Sequence, residues 1–99
     1  MQIIAKRTLR EFWLRRPVAR APLEAWYQIV ARADWRTPAD VKDMFGTTVD
    51  VVADNRVIFD IGDNKYRLIA HIAYRYGRVL IKFVGTHKDY DEIDPETVR

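Results

Sequence analysis

Cysteine and serine are both absent from this chain of 99 residues. Without cysteine there is no disulfide framework and no thiolate metal site; without serine, a serine nucleophile is excluded. Histidine occurs only twice, as His71 and His87, and the carboxylates are scattered, so no metal-ligand spacing is present and none is expected. Long apolar runs are missing too. The opening Met1-Gln2-Ile3-Ile4-Ala5-Lys6-Arg7 turns basic far too early for a signal peptide or a membrane span. Four glycines and four prolines, widely separated, leave no linker and no repeat. These absences predict one ordered domain over residues 1–99, soluble and cytoplasmic, with no membrane contact and no cofactor.

What is present is charge, unevenly spread. Net charge is +3. Residues 1–42 carry nine Lys or Arg against four Asp or Glu, whereas residues 43–99 carry eight against ten. A dense basic run, Arg7, Arg10, Arg15, Arg16 and Arg20, is either a solvated helix face or a contact for RNA or an acidic partner.

Helical spacing governs the first part. Thr8 with Glu11 reads as a capping box, followed by Leu9, Phe12 and Trp13 on one face, and Pro17 ends that helix. Pro22 suits the first turn of a second helix carrying Leu23, Trp26, Tyr27 and Val30. Thr37-Pro38 opens a third, with Asp40 near its positive end, Val41, Met44 and Phe45 inward, and Gly46 closing it. Trp13 and Trp26 belong to the core; Trp35, at a break, is expected to be partly exposed. Ile3-Ile4 reads as a short edge strand.

Alternation then replaces helical spacing, with strands near Val49–Ala53, Val57–Ile61, Tyr66–Tyr74 and Val79–Gly85. Asp54-Asn55 and Gly62-Asp63-Asn64 supply turns, so an antiparallel meander is expected with the helices on its apolar side, an α+β two-layer sandwich. In the last hairpin, a tight turn at Arg75-Tyr76-Gly77-Arg78 pairs Arg67 with Thr86, His71 with Lys82 and Arg75 with Arg78. One face then carries Arg67, His71, Arg75, Arg78 and Lys82. The other carries Tyr66, Leu68, Ala70, Ile72, Tyr74, Val79, Ile81, Phe83 and Gly85, the core side. A cationic strip on a rigid sheet suits an anionic ligand. From Thr86, an N-cap residue, a brief helix is expected before Pro95.

At Asn64-Lys65-Tyr66-Arg67-Leu68-Ile69 and Thr86-His87-Lys88-Asp89-Tyr90-Asp91 the chain resembles the HigB family of toxin–antitoxin toxins. The likeness extends through Ile3-Ile4, the Leu9 to Phe12 and Leu23 to Val30 helices, and Val57-Ile58-Phe59-Asp60-Ile61-Gly62. One departure is Gly62-Asp63-Asn64 where relatives carry Gly-Gly-Asn, which touches a turn. The resemblance implies a RelE-like fold and an endoribonuclease that cuts messenger RNA on the translating ribosome. It also implies silencing by a HigA-type antitoxin with a helix-turn-helix.

RNA cleavage without a metal uses the ribose 2′-hydroxyl as nucleophile, so cations and proton-transfer groups must converge. Arg67 is the expected phosphate clamp, because its planar fork can hold two phosphoryl oxygens. His87 is the candidate general base or acid, since imidazole exchanges protons near neutral pH. Tyr90, one helical turn on, would donate to the leaving oxygen or stack on a base. Lys65, Lys82 and Lys88 would add positive field. Each also has a plainer explanation: Lys65, Arg75 and Arg78 as solvated charges, His71 as a packed mid-strand residue outside the catalytic set, His87 and Tyr90 as caps of the terminal segment. Two other functions compete, a non-catalytic RNA- or ribosome-binding module and a plain antitoxin-binding domain.

Overall fold

The computed structural model describes residues 1–98. Strand β1 (Gln2–Ile4) leads into helix α1 (Lys6–Arg15), then α2 (Arg20–Ala31), α3 (Pro38–Phe45), strands β2 (Val49–Val52), β3 (Arg56–Ile61), β4 (Tyr66–Ala73) and β5 (Arg78–Thr86), and helix α4 (His87–Asp91). The strands form one sheet in the order β1-β5-β4-β3-β2. The expected meander is antiparallel, but β1 joins β5 in parallel, so the sheet is mixed. Parallel pairing follows from the helices intervening between β1 and β5, which let the chain return in the same direction.

Leu9, Phe12 and Trp13 of α1, Leu23, Trp26 and Val30 of α2 and Val41 of α3 are the buried faces, at the spacing that amphipathic helices require. They cover Val57, Phe59, Ile61, Leu68, Ala70, Ile72, Val79 and Ile81. Phe59 is the hub, with ring centroids 5.3 Å from Trp26, 5.1 Å from Phe45 and 6.2 Å from Trp35. Trp35 is therefore buried, contrary to its expected exposure; the break between helices folds it onto Phe45 and Phe59. Thr8 is not an N-cap. The helix starts earlier, after Ala5, with no side-chain cap, and Glu11 pairs instead with Arg7 at 2.8 Å. The third helix is capped as expected, the Asp40 carboxylate accepting from the backbone of Arg36 and Thr37. Those bonds hold the Asp40 carboxyl below its ordinary pKa.

Asp54, Asn55, Asp63 and Asn64 all have positive φ; β3–β4 is closed by a two-residue turn at Asp63-Asn64, where the Lys65 N–H donates to the Gly62 carbonyl at 3.2 Å, whereas β2–β3 is joined through the three residues 53–55. Asp63, the departure from Gly-Gly-Asn, is accommodated because Asp tolerates this conformation better than most side chains.

The β4–β5 register differs from expectation. Tyr66 pairs with Thr86, Arg67 with Gly85 and Ile69 with Phe83, then the register shifts and Ala70 pairs with Ile81, His71 with Leu80 and Ala73 with Arg78. The shift leaves Lys82 as an extra residue without a partner, a β-bulge. One inserted residue reverses parity, so Phe83 and Gly85 lie on the face of Arg67 rather than in the core, and Val84 packs on the helix side in their stead. Nor is that outer face an open cationic strip. Ile58 and Ile69, paired across β3 and β4, are buried on it outside the helix-side core. The chain after β5 returns over this side: Tyr90 packs on Phe83, and the carbonyls of Pro95 and Val98 accept from Nη1 of the buried Arg56.

Candidate active site

Arg67 lies on β4 between Asp60 of β3 and Gly85 of β5. Its Nε is 3.0 Å from Asp60 Oδ1, but the N–H is not aligned on that oxygen, and among the described residues the guanidinium makes no hydrogen bond. Asp60 thus steadies the stem while the terminal fork stays available for an anion. The face of Tyr90 covers the guanidinium, ring centroid 5.1 Å from Cζ, a cation–π contact that adds a second wall. Tyr90 is in turn tilted against Phe83 at 6.4 Å.

Helix α4 places His87 and Tyr90 through a true capping box. Thr86 Oγ1 accepts from the Asp89 backbone N–H at 3.2 Å, and Asp89 Oδ2 accepts from the Thr86 N–H at 3.0 Å. The Thr86 backbone bond is the main reason the Asp89 carboxyl is held below its ordinary pKa; slight burial opposes this, while the Thr86 side chain and the charges of Arg16 and Arg15 assist. The end of α1 therefore brings part of the N-terminal basic run to this site, which the sequence pattern did not suggest. Gly85 makes the close seating of α4 possible: a Cβ there would fall 2.6 Å from Phe83 Cζ and 2.8 Å from Asp89 Cβ.

His87 Nε2 meets the carbonyl oxygen of Asn64 in the β3–β4 turn. A carbonyl only accepts, so Nε2 is the nitrogen that donates in this contact, and Nδ1 is not engaged by it. This contact ties α4 to the start of β4, where exposed Lys65 sits. Arg67, His87 and Tyr90 thus gather at one end of the β4–β5 hairpin, with Lys65 and exposed Lys88 at its margin and half-buried Lys82 at the bulge. Arg75 and Arg78 do not join them. They occupy the opposite tip, because β4 runs its full length from Tyr66 to Ala73 between the two ends. His71 stands mid-strand across from Arg56 and Leu80, away from the cluster. Asp60 was missed by sequence reasoning, although the two-residue turn at Asp63-Asn64 implied its pairing with Arg67.

The family comparison decides what kind of chain carries this cluster: a model described as the RelE-like toxic component of a toxin–antitoxin system, the HigB toxin, matches residues 19–93. The chain belongs to the HigB toxin family. It is 27% identical over 94 residues to the mRNA interferase HigB of Escherichia coli O6:H1 strain CFT073, covering 94% of this chain and 91% of that protein. It is 25% identical over 92 residues to the mRNA interferase toxin HigB of Escherichia coli K12, covering 92% and 88%. The matched HigB span includes Arg67, His87 and Tyr90, and all five elements that position them from β2 to α4. No helix among the described residues is long and apolar enough to cross a membrane. Nor do those residues contain a group of three or more His, Cys, Asp or Glu able to hold a metal ion.

Proposed function

We propose that this HigB-family toxin is an mRNA interferase, an endoribonuclease that cuts message on the translating ribosome in the cytoplasm, without a metal, and is neutralised by a HigA-type helix-turn-helix antitoxin. The observation that carries the proposal is the grouping, at one end of the hairpin, of a guanidinium steadied by Asp60 and covered by the Tyr90 ring with an imidazole held by the Asn64 carbonyl. Arg67 binds two non-bridging oxygens of the scissile phosphate and stabilises the charge that accumulates there. His87 Nδ1 takes the proton of the ribose 2′-hydroxyl as that oxygen bonds to phosphorus. The bond from phosphorus to the 5′-oxygen breaks, Tyr90 donates its proton to that oxygen, and a 2′,3′-cyclic phosphate remains. Lys65, Lys82 and Lys88 supply positive field along the strand, and Arg75 and Arg78 contact RNA elsewhere.

Expression without antitoxin tests this directly. Growth arrest with new RNA 5′ ends inside coding regions is expected, and Arg67→Ala should abolish both, a loss of at least 100-fold in cleavage, on the order of removing an oxyanion donor. The Arg67 and Asp60 side chains are only 19% and 25% exposed, so leaving Asp60 without its partner should cost about 1–3 kcal/mol, which a fold kept intact at the assay temperature absorbs. Arrest with intact RNA would instead favour a non-catalytic ribosome binder.

A further inference from the structure

The β4–β5 tip is the second concentration of aromatic and cationic groups outside the cluster around Arg67. Tyr76 is 66% exposed, the most exposed aromatic among the large apolar residues. The guanidiniums of Arg75 and Arg78 both lie 5.8 Å from its ring centroid. Neither arginine has a carboxylate within salt-bridge distance among the described residues, whereas Arg7, Arg20, Arg36 and Arg67 each have one. Gly77, at φ +66°, closes the turn and holds Tyr76 outward. Beside the tip lies an open cleft of about 620 Å³ lined by Asp34, Arg36, Tyr74, Arg75 and Gly77.

Folding gains little from this arrangement. Each guanidinium stands over the Tyr76 ring in a weak, solvent-exposed cation–π contact, and the two bring like charges together with no carboxylate among the described residues to neutralise them, so an anion that draws the arginines off the ring is favoured. An unstacked nucleotide satisfies all three groups, its base on the Tyr76 ring and its flanking phosphates on the arginines. An acidic peptide would engage the arginines but leave the ring without a planar partner.

We propose that this tip is a second RNA contact, gripping a single-stranded or loop segment roughly 23 Å from Arg67, the length of seven residues of extended strand. It rests on the RNA-cleaving function proposed above and adds a place where RNA is held but not cut. The sheet fixes the spacing between the two contacts.

The test uses full-length protein and a mixed-sequence 12-nucleotide RNA, with affinity measured by fluorescence anisotropy across a salt series. Arg75→Gln/Arg78→Gln should weaken binding at least tenfold and reduce the slope of log affinity against log salt by about 1.4, two phosphate contacts on a single strand. Tyr76→Ala should weaken binding at least fivefold with the slope unchanged, and Tyr76→Phe should restore it, since the ring and not the hydroxyl stacks. All three side chains are exposed, so the fold should be unaffected. Unchanged affinity and slope in these variants, with cleavage of translated message intact, overturns the tip while leaving the nuclease standing. Loss of antitoxin binding with RNA affinity retained makes the tip a protein-docking surface and overturns the proposal equally. Absence of cleavage by the wild-type chain defeats the nuclease function, and with it the proposal.

Discussion

Replacing Gly85 with alanine should disable the candidate site without touching any group that acts in it. The new Cβ would lie 2.6 Å from Phe83 Cζ and 2.8 Å from Asp89 Cβ. Carbon atoms in contact settle near 3.5–4.0 Å, so α4 must retreat by about 1 Å. Phe83 cannot simply turn aside, because Tyr90 leans on its ring. Asp89 cannot yield either without breaking its two bonds with Thr86. The retreat carries His87 and Tyr90 away from Arg67, which is fixed in β4. A misplacement of about 1 Å costs on the order of 100-fold in rate. Overpacking of this kind costs about 1–3 kcal/mol, or roughly 5–20 °C in Tm for a chain of this size. Primer extension on message in a translation reaction measures the rate, and thermal melts by circular dichroism measure the stability. Wild-type cleavage with an unchanged Tm would refute the seating of α4 on Gly85. A lowered Tm with wild-type cleavage would keep the seating and remove α4 from the chemistry.

Tyr90→Phe retains the ring that covers Arg67 and removes only the hydroxyl, so cleavage should fall by about 100-fold with Tm unchanged; wild-type activity removes Tyr90 from proton transfer. The Asp89 carboxyl has a folded pKa below its unfolded value, so its contribution to α4 is present above about pH 4 and is lost as pH falls through the lowered folded value. The protection of the Thr86 amide relative to its intrinsic exchange rate should therefore fall below that pH in the wild type, and in Asp89→Asn it should be low already at neutral pH; a Thr86 amide equally protected in both would contradict the cap. Arg56→Met loses the bonds to Pro95 and Val98 but also removes a buried Nε that has no partner, so a net loss of about 1–2 kcal/mol is expected. Faster carboxypeptidase trimming of residues 95–98 should accompany it, and an unchanged trimming rate would show that Arg56 does not hold the tail.

The helices and strands were legible because their apolar spacing is unambiguous: Leu23, Trp26 and Val30 admit only a helical face, and Leu68, Ala70 and Ile72 only a strand face. The β5 register was not legible. Val79, Leu80, Ile81, Phe83 and Val84 are apolar on both parities, so alternation cannot announce the bulge at Lys82, and simple alternation places Phe83 on the core side when it lies on the other. Arg56 was invisible for a different reason. A single arginine after Asp54-Asn55 looks like a solvated turn residue, and only the returning chain buries it. For the candidate site, Arg67, His87 and Tyr90 enter through family resemblance, whereas Asp60, Gly85 and the approach of Arg15 and Arg16 depend on strand pairing and helix placement that no local motif encodes.

The sheet order puts β4 in the middle, with two strands on each side. Interior strands open only when the whole sheet does, while a five-residue helix at the periphery can part from its support at far lower cost. On the function proposed above, Arg67 is therefore a fixed jaw and α4, with His87 and Tyr90, a movable one. Adjustment to different nucleotides, and any clamping on the message, falls to the second jaw.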